Sequence, residues 1–361
     1  MFDPETLARD NIRRLRPYTS ARSEFTGTAE IYIDANENPF GSPGDVSLNR
    51  YPDPLQRALK EKIAAKNGVK SEQIFVGNGS DEAIDLLFRI FCEPGRDKAV
   101  ICTPTYGMYQ VAADINDVRT IDVPLTAEFQ LDAAAVVEAS SAAKLVFICS
   151  PNNPTGNAVD RDEILRIAER FNGIVVVDEA YIDFSAAASL VEQLEGYPNL
   201  VVLQTFSKAW GMAGARVGLA FGNEKIIELF NRVKPPYNVN ELSQKAAISA
   251  LDGGAKVSKW IEQIIEQRAS LRDRLAPMRI TEKVYPSDSN FLLVKFSAAD
   301  EIYEYLLGKG IVVRNRSRVP GCEGCLRLTV GTLEENEKLI AALTEFEQAV
   351  KTPSIKLEST I

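Results

Sequence analysis

Short apolar runs, each closed by a polar or glycine-bearing turn, punctuate the first two-thirds of the chain. They are Ile74-Phe75-Val76, Ala99-Val100-Ile101-Cys102, Leu145-Val146-Phe147-Ile148-Cys149, Ile174-Val175-Val176-Val177, Leu200-Val201-Val202-Leu203 and Val217-Gly218-Leu219-Ala220. Their apolar residues are continuous rather than alternating, the pattern of strands covered on both faces. Segments of helical period lie between them: 55–66, closed by Asn67-Gly68; a stretch whose face is Ala83, Ile84, Leu87, Ile90 and Phe91; and about 161–171. Alternating strands and helices predict an α/β fold with a mostly parallel sheet between helical layers.

The pattern changes after residue 220. Helices are predicted at about 223–232 and 239–252, joined by Lys234-Pro235-Pro236-Tyr237, and then a long amphipathic one at roughly 255–275. Strands at 290–294, 311–313 and 326–330, a helix at 299–309 and a last helix from Leu333 to about Lys351, boxed by Thr332 and Glu335, predict a smaller α+β domain. Upstream, residues 1 to about 30 are polar, and a strand is predicted at 31–33. A long Gly/Pro/Ser-rich loop follows, running on to Arg50-Tyr51-Pro52, and ordered loops of that length tend to be functional. The expected division is an arm at 1–35 contributing to the small domain and a dimer contact, a large domain at 36–250, a small domain at 251–353 and a frayed tail at 354–361.

Composition narrows the chemistry. The 361 residues are 45% apolar and 25% charged, with 50 acids against 41 bases, so the net charge of −9 argues against nucleic acid and anionic membranes as main partners. No stretch reaches the length of a spanning helix, and the start lacks a leader pattern, so a cytoplasmic protein is expected. Five cysteines fit reduced thiols; Cys322-Glu323-Gly324-Cys325 has CxxC spacing but no second ligand pair, and no metal site is expected. The chain contains no histidine. That removes imidazole bases and leaves proton transfer to Lys, Asp, Glu, Tyr or Cys.

Each predicted strand delivers a polar or aromatic group at its carboxyl end, where open α/β sheets place their sites. Lys208, in Thr205-Phe206-Ser207-Lys208, follows an apolar strand and is either a reactive amine or a surface lysine in a Gly-rich loop. Gly79, Ser80 and Asp81 open a helix after a glycine turn, which serves either as a phosphate cradle or as plain capping by Ser80. Asp178, Tyr181, Tyr106, Asn153 and Arg216 stand at the other ends. No run of the dinucleotide or P-loop type follows a strand. A lysine, a carboxylate, an anion cradle, an amide and tyrosines together suit pyridoxal 5′-phosphate. Arg314 and Arg327, on neighbouring small-domain strands, are read either as a fork for a carboxylate or phosphate, or as surface ion pairs.

Taken in order, Arg16-Pro17-Tyr18, Asn36-Glu37-Asn38-Pro39, Arg50-Tyr51-Pro52, Gly77-Asn78-Gly79-Ser80-Asp81-Glu82, Pro104-Thr105-Tyr106-Gly107-Met108-Tyr109, residues 150–156, Asp178-Glu179-Ala180-Tyr181, the Lys208 stretch and residues 326–332 resemble the fold-type I pyridoxal-phosphate aminotransferases. Within that superfamily the chain is similar to the histidinol-phosphate aminotransferase family over nearly its whole length. The resemblance implies a seven-stranded large-domain sheet, Lys208 as the Schiff-base lysine and proton carrier, and Asp178 on the pyridine nitrogen. It implies Asn153 and Tyr181 near the phenolic oxygen and Tyr106 stacked on the ring. Gly79, Ser80, Asp81, Thr205, Ser207 and Arg216 would surround the phosphate, with Tyr51 reaching the neighbouring subunit's cofactor in a homodimer. Arg327 would anchor the substrate anion, assisted by Arg314, Tyr18 and Asn153. Histidinol phosphate and 2-oxoglutarate would give imidazole acetol phosphate and glutamate. Aromatic amino-acid transamination and threonine-phosphate decarboxylation use the same machinery and stay open, as does, more remotely, a non-catalytic pyridoxal-binding module.

Overall fold

The structure, a computed structural model, describes residues 2–18 and 29–351. The 354–361 tail and part of the N-terminal arm therefore lie outside the described residues.

The six apolar runs all become strands of one seven-stranded sheet. Its strands are β1 (Ile74–Asn78), β2 (Lys98–Thr103), β3 (Arg119–Pro124), β4 (Leu145–Cys149), β5 (Ile174–Asp178), β6 (Leu200–Thr205) and β7 (Val217–Gly222), in the spatial order β1-β7-β6-β5-β4-β2-β3. Strands β6, β5, β4, β2 and β3 run parallel, and β7 runs antiparallel to both β1 and β6. β3 has no continuous apolar run, because Arg119-Thr120-Ile121-Asp122 alternates at the sheet's edge, where burial is incomplete.

Ile174, Val175, Val176 and Val177 are completely buried between the helical layers. Each such side chain contributes roughly 1.5–3 kcal/mol. Their sum outweighs the several kcal/mol that a buried carboxylate costs, so β5 can carry Asp178 into the interior at its end. The register sets Cys149 beside Asp178, and Asp178 beside Leu203, so β4 and β5 end level and β6 runs two residues further, to Thr205.

A second, antiparallel sheet has the order β10-β11-β9-β8, from Arg314–Asn315, Cys325–Thr329, Phe291–Phe296 and Thr281–Val284. Its core joins Leu292, Val294, Leu326 and Leu328 to Leu271 and Leu275 of the long helix Gly254–Leu275 and to Leu339 and Leu343 of the last helix. The capping box of that last helix forms: Glu335 accepts from the Thr332 backbone N–H at 2.7 Å, and Thr332 Oγ1 accepts from the Glu335 N–H at 3.3 Å.

Three local expectations need correction. Residues 31–33 are not a strand; Ile31 and Ile33 are 75% and 93% exposed, so the apolar pair meets no core that would reward pairing. The strand predicted at 311–313 lies instead at Arg314–Asn315. In the arm, Ala8 and Ile12 pack into the cluster behind the large sheet with Phe88 and Phe230, not against the small domain.

Candidate active site

The carboxyl ends of the parallel strands and the face of the small sheet enclose a cavity of about 850 Å³. It is lined by Gly79, Ser80, Asp81, Tyr106, Asn153, Asp178, Tyr181, Thr205, Ser207, Lys208, Arg216, Arg314 and Arg327. Residues from strand ends far apart in sequence thus meet in one place.

At its floor, Asp178 is buried and accepts two hydrogen bonds, from the Tyr109 hydroxyl at 2.8 Å and from the Ala180 N–H at 3.0 Å. Burial pushes its carboxyl up to about 6, against the pull of those two donors. Tyr109 is itself fixed by stacking on Phe147, with ring centroids 5.0 Å apart. A cation placed next to Asp178 would recover the cost of burying its charge.

Lys208 follows β6 in a turn, with its Nζ 5.4 Å from the centre of the Tyr181 ring. Burial first, then the Arg327 charge, lower its pKa from the usual lysine value. That raises the share of neutral amine, the form that attacks a carbonyl or takes a proton. The side chain is nonetheless exposed into the cavity, so its amine is open to an incoming ligand.

The anion cradle is built from β1, β7 and the helix Ser80–Phe91. The residue capping that helix is Gly79, with no side-chain cap, so Ser80 does not cap as the alternative reading expected and the end is left for another acceptor. Two glycines make this possible. Gly79 has φ +78°, and a Cβ there would lie 2.6 Å from the Arg216 guanidinium; a Cβ on Gly218 would lie 2.0 Å from the Ser80 nitrogen. Arg216 adopts the left-handed region at φ 54°, a strained state for a side-chain-bearing residue, and its carbonyl accepts from the Gly79 N–H at 2.9 Å. Its guanidinium lies 3.4 Å from Asp81, whose carboxylate also accepts from the Tyr106 hydroxyl at 3.2 Å.

The other wall belongs to the small sheet. Arg327 donates to Asn153 Oδ1 at 2.6 Å and lies over the Phe291 ring at 5.1 Å. Its Nε is buried without a partner, and Arg314 pairs with it across β10 and β11. Neither arginine has a carboxylate partner among the described residues, so the surface-ion-pair reading does not apply.

Two predicted positions stay outside the cavity. Tyr18 is 77% exposed, and Tyr51, half exposed, stacks on Tyr237 at 4.5 Å. Arg316, by contrast, lines the cavity without having been singled out, and so does the apolar group Met108, Val111, Val319 and Pro320. Arg316 had a readable signal: two residues from Arg314 on an extended segment, it shares that residue's face. The link between Tyr109 and Asp178 had none, since the pairing spans 69 positions. Cys322 and Cys325 are buried free thiols pushed up to about 12 and about 11 by burial, and no metal-binding cluster occurs among the described residues.

The donor set fits pyridoxal 5′-phosphate. Gly79 leaves room for an anion at an uncapped helix end with Arg216 beside it, a buried carboxylate waits for a cation, and an amine of lowered pKa lines the same cavity. Comparison with known proteins agrees. Residues 36–343 match the family described as aminotransferase class I and II. A histidinol-phosphate aminotransferase of Parabacteroides distasonis is 51% identical over 95% of this chain and 99% of its own. The crystal structure of the Sinorhizobium meliloti histidinol-phosphate aminotransferase with pyridoxal-5′-phosphate superposes with a TM-score of 0.78 at 25% identity, covering 88% of this chain and 90% of that one. An L-threonine-O-3-phosphate decarboxylase from Porphyromonas gingivalis superposes at 0.73, also at 25% identity, over 83% and 91%. With half its residues identical over nearly its full length, the chain belongs to the histidinol-phosphate aminotransferases, within the class I and II aminotransferase family.

Proposed function

We propose that the chain moves the amino group of histidinol phosphate to 2-oxoglutarate, giving imidazole acetol phosphate and glutamate, with Lys208, Asp178 and Tyr181 at the reacting centre. The observation that carries this is the meeting, in one cavity, of a lysine of lowered pKa, a buried carboxylate and a cluster of arginines without carboxylate partners. Bound pyridoxal 5′-phosphate supplies an electron sink for charge developing on the substrate carbon.

The chain's own residues do the rest. Gly79, Ser80, Asp81, Thr205, Ser207 and Arg216 would hold the cofactor's phosphate, and Asp178 would hold a proton on its ring nitrogen. Tyr106 would cover the ring, and Asn153 and Tyr181 would serve its phenolic oxygen. Lys208 Nζ, as the free amine, would take the proton from the amine-bearing carbon of the substrate. Arg327, assisted by Arg314 and Asn153, would grip the phosphate of one substrate and then a carboxylate of the other, two anions that a guanidinium fork accepts alike.

The working unit in this reading is a homodimer in which Tyr51 reaches the partner's cofactor phosphate. What supports it is the exposure of Ile33 (93%) and Phe40 (97%) on the same stretch as Tyr51, an apolar surface that a monomer would leave wet. The division into an arm, a large domain at 36–250 and a small domain at 251–353 is supported by the two separate sheets. A cytoplasmic setting is supported by five cysteines that are all free. No helix among the described residues is long and apolar enough to cross a membrane.

The test is to add histidinol phosphate, phenylalanine, tyrosine or threonine phosphate to the holoenzyme, follow the visible absorbance of the bound cofactor and identify products. Histidinol phosphate is expected to bleach it and to yield the ketone without carbon dioxide. Bleaching by phenylalanine alone, or carbon dioxide from threonine phosphate, would transfer the assignment to an aromatic aminotransferase or a decarboxylase.

A further inference from the structure

β10 and β11 pair Arg314 with Arg327 and Asn315 with Leu326, and the Arg316 N–H continues the ladder to the Cys325 carbonyl at 2.9 Å. In extended backbone, side chains two apart share a face and directly paired residues point the same way. Arg314, Arg316 and Arg327 therefore face the cavity together, while Asn315 turns the other way and donates to Asp300 at 2.6 Å. Leu326, paired with Asn315, is completely buried in the small-domain core.

Three guanidiniums on one wall repel one another, and proteins ordinarily offset that with acids. Here, among the described residues, none of the three has a carboxylate within ion-pair distance, and Arg327's one side-chain bond goes to a neutral amide. The Nε atoms of both Arg316 and Arg327 are buried without a hydrogen-bond partner. Burial first, and then the charges of Arg327 and Arg314, push the Arg316 guanidinium down from its usual value, though an arginine stays protonated. Its backbone is pinned on both sides, since the Val319 N–H donates to the Arg316 carbonyl at 2.8 Å. A cluster that opens on the cavity, with Arg316 and Arg327 half-buried, and that has no compensating acid suits an anion of more than one charge.

We propose that Arg316 is a specificity-determining residue that reads the second negative charge of a phosphate monoester, while Arg327 with Arg314 and Asn153 is sufficient for a carboxylate without it. This rests on the reaction proposed above. A carboxylate presents two oxygens and one charge, which one bidentate fork satisfies; a phosphate monoester presents three oxygens and nearly two charges at neutral pH. The third guanidinium therefore favours the phosphorylated donor over glutamate or an aromatic amino acid, without touching the reacting carbon.

The test compares two half-reactions of the holoenzyme, with histidinol phosphate and with glutamate, in the native protein and in Arg316→Gln and Arg316→Lys. Arg316→Gln is expected to lose about 10–100-fold in kcat/KM for histidinol phosphate, the range expected of a charge-assisted hydrogen bond, and to change by less than about 3-fold for glutamate. Arg316→Lys keeps the charge without the fork and is expected to recover part of the loss. Inorganic phosphate should compete with histidinol phosphate more weakly in both variants. Equal losses on the two donors, as from a folding defect, or no loss on either, would overturn the inference. If the native protein reacts with glutamate and not with histidinol phosphate, the proposed reaction fails instead. Should Arg316→Gln not fold, the ratio of the two donors in Arg316→Lys decides.

Discussion

The two walls of the cavity are finished to different degrees. On the large-sheet side the acids already have partners within the chain: Asp178 has Tyr109 and Ala180, Asp81 has Tyr106 and Arg216, and Arg216 lends its carbonyl to Gly79. On the small-sheet side stand three arginines without a carboxylate, two of them with buried orphan nitrogens. One wall suits a ligand that stays through every cycle, so its geometry is fixed beforehand. The other must accept and release different anions in turn, and a permanent carboxylate partner there would compete with each of them.

Changes at the finished wall should give the largest effects. Lys208→Ala removes both the amine and the proton carrier; transamination is expected to fall by at least about 10⁴-fold, the upper range for a general base. Stopped-flow absorbance checks this, and normal turnover by the variant would remove Lys208 from the mechanism. At the unfinished wall, Arg327→Ala should weaken both donors together by about 30–150-fold, the 2–3 kcal/mol of a hydrogen-bonded charge. A loss confined to one donor in steady-state kinetics would break the symmetry assigned to Arg327.

The smallest effect sharpens the contrast by pH. Asp178 is raised from 3.8 to about 6, so in the protein without cofactor the folded state holds a proton that the unfolded chain has released. Stability from this group is therefore full below about 4 and is lost as pH rises towards about 6, while affinity for a ring cation grows over the same window. Removing the Tyr109 hydroxyl takes away a donor to the charged form and raises the carboxyl further. Tyr109→Phe should move the pH midpoint of cofactor binding upward by about one unit. Equilibrium titration of the apoprotein at several pH values measures it; an unmoved midpoint would mean that Tyr109 only packs.

Much of this was legible because the apolar code of a buried parallel strand is local. Ile174-Val175-Val176-Val177 announces a strand, and Asp178 directly after it announces that something charged is wanted at its end. Lys208 and the Gly79 turn were readable for the same reason. The residues at 31–33 misled because the same apolar code, without a core to meet, says nothing about pairing. β3 hid because an edge strand is free to be half polar, and the Tyr109 contact hid because sequence carries no record of which distant hydroxyl reaches a carboxylate. Arg316 was within reach of simple alternation, but the run Arg314-Asn315-Arg316-Ser317-Arg318 looks like a solvated charge cluster until the strand is placed.

Gly218 sits on β7, away from the reacting groups, yet a Cβ there would lie 2.0 Å from the Ser80 nitrogen and 2.1 Å from the Gly79 carbonyl carbon. Every other amino acid brings that carbon, and the obstacle is the Gly79–Ser80 backbone, which cannot swing aside as a flexible side chain would. Its mutational tolerance should therefore be nil, matching that of Lys208 although it contributes no functional group. In a library of single replacements selected for activity, Gly218 would behave as an active-site residue, and a survey that weighed only side-chain chemistry would overlook it.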